Sequence, residues 1–410
     1  MKKSWIIKIS TCGAAILLLA ACGRAEPSPP GLTVQDGLFH KDGKPFYGVG
    51  VNYFSCLIRI TGMVPNGPNP DNRDYVEGFR TLKSYNIPFV RFAAGGFFPD
   101  DWKLYQTDKD TYFKLFDGLV AEAEKQGIGL IPSLFWTYST VPDLVGETLD
   151  QLGNPESKSL AFIRQYATEV VSRYKDSPAI WAWEFGNEWI HEADLPQPEA
   201  GRGWIAPEFG TPAVRSAMDK MFRKNIRVAY REFEKAVRAI DRTRPLLTGD
   251  VMPRPTGWHN HHRSTWDTDT PDQWREIFLR DNPFETLSAH FYYYDKNQSP
   301  RDAGVREYDP EQQMKFLMKI SREAGKPLFI GEFGQTPKAR LADQFRQVET
   351  LLRLIQENGV QLSALWNYDF EHEDQAWCNI TPTNERSGML NSLKNLNKQM
   401  QTVSSKVEGK

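Results

Sequence analysis

Cysteine is scarce: 410 residues contain four, too few to staple a disulfide-built scaffold. An excess of charge of one sign is also missing. The 50 Lys and Arg nearly cancel the 52 Asp and Glu, leaving a net charge of -2, and no basic run or aromatic–basic interleaving occurs, so no nucleic-acid partner is expected. The apolar stretch at residues 6–21 is short and interrupted by Lys8, Ser10 and Gly13, too poor for a stable membrane-spanning helix. No G-x-G-x-x-G follows an early strand pattern, which argues against an open dinucleotide-binding sheet. Neutral polymers remain as candidate ligands.

What is present begins with Met1-Lys2-Lys3 ahead of that apolar stretch and Leu19-Ala20-Ala21-Cys22 behind it, the charged, apolar and small-residue order of a secretory signal. The segment resembles the bacterial lipoprotein signal, which implies cleavage before Cys22 and acylation of that cysteine. Residues 1–21 are therefore expected to be signal. Residues 22–31, with Pro27, Pro29 and Pro30 among polar neighbours, cannot bury enough surface to fold and form a tether. Residues 32–405 are the expected catalytic domain, a monomer secreted to the cell envelope whose only membrane contact is the lipid. No acidic residue directly follows Cys22, which favours an outer-membrane destination. With Cys12 in the signal and Cys22 acylated, Cys56 and Cys378 remain in an oxidising compartment, either as one disulfide or as two separate buried thiols.

Along the chain, short apolar runs alternate with longer amphipathic stretches, as in βα units. Eight runs fit strands, at 47–53, 89–93, 129–134, 180–185, 245–249, 286–291, 327–331 and 362–367. Several are continuously apolar, as parallel strands covered by helices should be. Helical patterns span 112–126, 160–174, 214–240, 311–324 and 341–357, and Gly127, Gly325 and Asn358-Gly359 stop three of them. Eight units imply a closed (β/α)8 TIM barrel in a single domain. A hairpin at 37–46, turning at Asp42-Gly43, is expected to plug the barrel bottom. Loops at 193–212 and 252–272 follow strands and belong to the catalytic face.

Two carboxylates close such strands: Glu188, in Trp183-Glu184-Phe185-Gly186-Asn187-Glu188, and Glu332, after Leu328-Phe329-Ile330-Gly331. Glycosidic cleavage needs one carboxylic acid to protonate the leaving oxygen and a second carboxyl to meet the oxocarbenium-like carbon. By alternation from Trp183, Glu184 points elsewhere and is given no catalytic role.

With Arg91 at the second strand, His290 and Tyr292 at the sixth and Trp366 at the eighth, the chain resembles clan A glycoside hydrolases, family 5, the cellulase and β-mannanase family. The resemblance spans about residues 48–390. It implies a retaining double displacement on β-1,4-linked glucan or mannan, with Glu188 as acid/base, Glu332 as nucleophile, and no cofactor or metal. Asn187 would bind the sugar 2-hydroxyl, Arg91 and Tyr292 would hold Glu332, His290 would bond the acid/base or the substrate, and Trp366 would floor the reacting sugar. Where many members carry a histidine after the third strand, this chain has Trp136 or Tyr138 to replace it. Arg91 is expected to leave Glu332 ionised while Glu188 stays protonated.

Further aromatics after the strands, including Tyr53, Phe54, Trp189, Trp204, Trp258, Tyr293, Tyr294, Tyr368 and Trp377, offer sugar-stacking faces, about half of them expected to be core. Trp258-His259-Asn260-His261-His262 is a rival, metal-like cluster in an expected loop. A non-catalytic glycan-binding lipoprotein and a transglycosylase are the competing functions.

Overall fold

In a computed structural model of the chain, the described residues are 29–62, 67–196, 207–293, 309–337, 339–372 and 375–406. Cys22 and most of the expected tether lie outside them, as do Trp204 and Tyr294. Strands β1 (Leu32–Gln35), β2 (Leu38–Lys41) and β3 (Lys44–Pro45) make a small antiparallel sheet. Eight parallel strands follow: β4 (Gly48–Asn52), β5 (Phe89–Ala93), β6 (Gly129–Phe135), β7 (Trp183–Gly186), β8 (Leu246–Leu247), β9 (Leu287–Tyr292), β10 (Leu328–Gly334) and β11 (Leu362–Leu365). Their order is β8-β7-β6-β5-β4-β11-β10-β9, the (β/α)8 barrel expected from the repeating pattern.

The ladder is open between β8 and β9, and side chains bridge this seam. The Thr286 hydroxyl donates to the Leu246 carbonyl at 2.6 Å, the Gly249 N–H to Ser288 Oγ at 3.3 Å, and the Leu246 N–H to Glu285 Oε1 at 3.0 Å. Thr286 is buried, so Thr286→Val would orphan the Leu246 carbonyl at nearly constant volume. We expect a loss of about 1–2 kcal/mol, read as a lower urea midpoint with an unchanged m-value.

Side chains alternate between two environments. Val49, Val51, Phe92, Leu130, Leu134, Phe185, Leu287 and Phe291 face outward into the helix–sheet core. Phe89, Ile131, Trp181, Leu247, Phe329 and Leu362 fill the lower barrel interior together with Leu32 and Phe39 of the small sheet. That sheet therefore closes the barrel bottom, tied by the Leu32 N–H to the Trp181 carbonyl at 3.0 Å and the Phe39 N–H to Gln361 Oε1 at 2.8 Å. Above this apolar layer the interior turns polar, with Asn52, Arg91, Ser133, Glu184 and Ser288 fully buried.

The helix Lys109–Gln126 starts where the Asp108 side chain accepts from the Thr111 N–H and stops at Gly127, φ 68°, a left-handed cap suited to glycine. The helix expected at 214–240 instead spans Arg223–Arg238. Its upstream residues are engaged in loop contacts: Arg215 pairs with Asp143, and Asp219 accepts from the Leu149 and Ser216 N–H groups. Cys56 and Cys378 are separate buried thiols, which settles the alternative left open above. Cys56 packs into the helix–sheet core, whereas Cys378 Sγ turns to Gln375 Oε1 at 3.2 Å; burial pushes the Cys378 thiol up to about 12 and that of Cys56 well above its ordinary value.

Candidate active site

Glu332 reaches the barrel mouth through a break in strand register. Phe329 faces the interior and Ile330 the helices, so strict alternation would turn Glu332 outward with Ile330. The pairing shifts past Ile330 against both β9 and β11. A bulge at Gly331 thus returns Glu332 to the interior and sends Phe333 outward. Glycine also leaves room here, since a Cβ would stand 3.0 Å from His290 Nε2.

Glu188 follows β7 at φ 55°, a left-handed conformation that is strained for a non-glycine residue and clusters at functional sites. Its N–H donates to the Gly249 carbonyl at 3.0 Å, and the Asn187 N–H to the Trp136 carbonyl at 3.1 Å. Gly249 permits that approach: its φ is 74°, and a Cβ there would meet the Gly186 carbonyl at 1.9 Å.

Arg91 organises the floor between the two carboxyls. Its Nε donates to both oxygens of Glu184 at 2.8 and 2.9 Å, Nη1 to Glu332 Oε1 at 2.9 Å and Asn52 Oδ1 at 3.0 Å, and Nη2 to Asn187 Oδ1 at 2.8 Å. The Tyr292 hydroxyl donates to Glu332 Oε2 at 2.6 Å. His290 Nδ1 lies 2.8 Å from Glu188 Oε1 and 3.6 Å from Glu332 Oε2. One ligand-type atom from each of Glu188, His290 and Glu332 lies within 4.8 Å of the others, so all six polar candidates converge.

Those three side chains also form the one cluster among the described residues with metal-ligand geometry. Both Glu332 oxygens are already held by donors, and the Arg91 guanidinium beside them disfavours a second cation. The arrangement suits proton transfer and charge stabilisation. Among the described residues, the imidazoles of the Trp258–His262 segment are not in the group with metal-ligand spacing. The segment belongs to the helix Gly257–Arg263, not to a loop, and its imidazoles serve different partners: His259 Nδ1 meets Asp269 at 2.8 Å, His261 Nδ1 meets Asp194 at 2.7 Å, and His262 Nε2 meets Arg280 at 3.3 Å.

The resting electrostatics differ from expectation. Burial opposes ionisation of Glu188, but the hydrogen bond and charge of His290 outweigh it and hold the carboxyl below its ordinary value. For Glu332, burial together with repulsion from Glu188 outweighs His290, Arg91 and Tyr292, and the carboxyl sits above its ordinary value. Arg91 lowers Glu332 but divides its charge between Glu332 and Glu184. Glu184 is fully buried, as suits a residue without contact to substrate, yet it anchors the guanidinium.

Beside the carboxyls, Phe54 and Trp136 pack with the half-buried Phe97, Trp366 and Phe370. Trp136 and Trp366 face each other at 6.1 Å and 31°, and the Arg91 guanidinium lies 4.6 Å over the Trp136 ring. Trp136 therefore lines the site at the third strand. Trp366 is oriented by its Nε1–H to Gln375 Oε1 at 2.8 Å, and its peptide bond to Asn367 is cis. Tyr53 and Trp189 are core residues, fully buried with their polar atoms on Asp369 and the Phe135 carbonyl. Sequence reasoning missed Asn52, which donates to the Gly331 carbonyl at 2.9 Å while accepting from Arg91. The signal was available, a polar residue ending the apolar run Gly48-Val49-Gly50-Val51.

The family model described as Cellulase (glycosyl hydrolase family 5) matches residues 57–371. A probable mannan endo-1,4-beta-mannosidase A of Aspergillus flavus is 31% identical over 205 residues, 43% of this chain and 49% of that protein. A probable mannan endo-1,4-beta-mannosidase C of Aspergillus terreus is 28% identical over 207 residues, 42% of this chain and 47% of that protein. The chain thus spans about half the length of these curated relatives. Among solved structures, the endo-1,4-beta-mannanase of Rhizomucor miehei superposes with a TM-score of 0.62 at 17% identity, covering 91% of this chain and 99% of that one. The superposition agrees with the barrel fold, and the family match over residues 57–371 places the chain in glycosyl hydrolase family 5.

Proposed function

We propose that this protein is a retaining glycoside hydrolase that cleaves β-1,4-linked mannan or glucan by double displacement. The observation that carries this reading is the approach of Glu188 and Glu332 oxygens to within 4.8 Å. Retention requires carboxyls about 5 Å apart, whereas inversion needs roughly 6.5–9.5 Å to admit a water between them. Glu332, held by Arg91 and Tyr292, attacks the anomeric carbon. Glu188, a third exposed on its side chain, protonates the leaving oxygen and later activates water.

The 2.8 Å contact between His290 and Glu188 holds one proton, whichever atom carries it. Substrate covering Glu188 strips its remaining water and raises its proton affinity, moving that proton toward the carboxyl. Positive charge developing at the anomeric carbon favours ionised Glu332. Substrate thereby reverses the resting order of the two carboxyls. Asn187 Oδ1 is held by Arg91, which leaves its Nδ2 to donate to the 2-hydroxyl, and Trp366, packed on the buried Trp136, supplies an apolar face for the sugar. No cofactor takes part. The names of the curated relatives favour mannan over glucan. The sequence around Cys22 supports a lipid anchor that holds the enzyme at the cell envelope.

Release of reducing ends from β-mannans, β-glucans, xylan and aryl glycosides tests the proposal. We expect a bell-shaped pH profile on β-mannan. In the free enzyme the reactive form carries one proton between the two carboxyls, so kcat/KM should fall on the acid side with the lower of them, which His290 holds below the ordinary glutamate value, and on the alkaline side with the raised one, Glu332. Flat activity across the acidic range would contradict the assignment. Transfer to an added sugar acceptor in place of hydrolysis would reassign the protein as a transglycosylase.

A further inference from the structure

The end of β8 grips the turn that carries Glu188 at two points. Gly249 accepts the Glu188 N–H at 3.0 Å, and the next residue, Asp250, accepts the Ile190 N–H on Oδ1 at 3.0 Å. Oδ2 of Asp250 accepts from the Tyr230 hydroxyl on the helix Arg223–Arg238. Asp250 is fully buried, and among the described residues it has no ion-pair partner. Arg223 is committed to Asp281 and Asp194. A buried carboxylate without a counter-ion is unfavourable for folding, and a neutral amide could make similar hydrogen bonds without the buried charge. What the charge adds is a stronger bond to the Ile190 amide, at the place where the backbone must hold Glu188 at φ 55°.

We propose that Asp250 is a positioning residue for Glu188: through the Ile190 amide its buried carboxylate fixes the turn that aims Glu188 at His290 and the cleft. This rests on the acid/base role given to Glu188 above. Asp250 does not touch the reacting atoms.

Burial is the largest influence on Asp250 and pushes its carboxyl up to about 7, against the Tyr230 and Ile190 hydrogen bonds. The groups facing it are Tyr230, Asp281 on the helix Pro271–Asp281, which adds repulsion, and His290 on β9, which adds attraction. Glu184 of β7 also lies alongside, 2.8 Å from where a Gly249 Cβ would stand, and is held by Arg91. An aspartate whose folded value exceeds its unfolded value takes up a proton on folding. It therefore lowers stability progressively as pH rises from about 4 to about 7, and the full penalty persists above that. The ionised state that grips the Ile190 amide most strongly is the one that stability disfavours.

Asp250→Asn separates positioning from a merely structural role. At about pH 8 we expect a Tm equal to or above that of the parent. We also expect kcat/KM to fall about tenfold or more on glycosides whose leaving group needs protonation, but less than about threefold on a dinitrophenyl glycoside, whose leaving group does not. The Ile190 amide resonance should titrate with a midpoint near 7 in the parent and stay flat in the variant. Tyr230→Phe, which keeps the carboxylate and removes one donor, should move that midpoint upward and serves if Asp250→Asn does not fold. Equal losses on both leaving groups, or an Ile190 amide that does not titrate in the parent, would overturn the proposal. The amide titration is independent of turnover, so a parent inactive on every glycan would sink the hydrolase reading and leave the grip of Asp250 still decided by the spectrum.

Discussion

Glu332→Ala is expected to lower kcat on β-1,4-mannan by about 10⁴-fold or more with the barrel intact. The carboxyl lost is the one held at 2.6 Å by Tyr292 and 2.9 Å by Arg91, so no neighbouring group is placed to capture the anomeric carbon instead. Folding should tolerate the change. Burial and repulsion from Glu188 already disfavour the Glu332 charge, and Arg91 keeps Glu184 as its partner. The Tm should therefore stay close to that of the parent while turnover disappears, which separates loss of chemistry from loss of structure. Added azide, small enough to occupy the vacated space, should restore turnover with a product of inverted configuration. Steady-state rates with and without azide check this. Residual activity above about a hundredth of the parent's would remove Glu332 from the nucleophile's role.

Arg91→Met is expected to cause the largest loss of stability, about 3–5 kcal/mol. Arg91 and Glu184 are both fully buried, and the guanidinium serves Glu184, Glu332, Asn52 and Asn187 together. Methionine fills much of the volume but strands two carboxylates in a low-dielectric interior. Lysine would not rescue the site, because one ammonium cannot reproduce the planar fork that reaches all four acceptors. The loss should depend on pH. Without Arg91 the two carboxyls would titrate above their unfolded values, so the folded state takes up protons and stability falls as pH rises. Thermal denaturation should therefore show a larger deficit at about pH 8 than at about pH 5. Equal deficits would mean that packing, not charge, is what Arg91 supplies.

The barrel was legible because parallel strands covered on both faces leave continuous apolar runs. Phe89–Ala93, buried at every position, was found with its exact bounds. Arg91, His290, Tyr292 and Trp366 entered through the family resemblance, whereas Glu188 and Glu332 were legible for a related reason, as carboxylates at the ends of such runs, where a barrel places its mouth. Asn52 carried the same signal at the first strand and was passed over. The bulge at Gly331 was not legible, since register is a property of two neighbouring strands and one strand's alternation does not contain it. The acidity order of the carboxyls came out opposite to expectation because it depends on burial, on the contact of His290 with Glu188 and on repulsion between the two carboxyls, which are distances and not patterns. Alternation from Trp183 was read as turning Glu184 elsewhere, yet Trp183 faces the helices and Glu184 points into the barrel interior, where its hold on Arg91 appears only in three dimensions. The late start of Arg223–Arg238 reflects loop contacts from distant residues such as Asp143 and Leu149, which override local helical periodicity.

The central claim is that Glu332 forms a covalent bond to the sugar while Glu188 handles the proton. Incubation with a 2-deoxy-2-fluoro-β-mannosyl fluoride, followed by mass spectrometry of the digested protein, tests it most directly. The fluorine slows both steps by destabilising the oxocarbenium-like transition states, and the good leaving group lets the first step proceed, so the intermediate accumulates. The account predicts one added fluoromannosyl group, on the peptide containing Glu332, and release of product that keeps the β configuration. A label on Glu188, or turnover of mannan to the inverted anomer with no label at all, would contradict it.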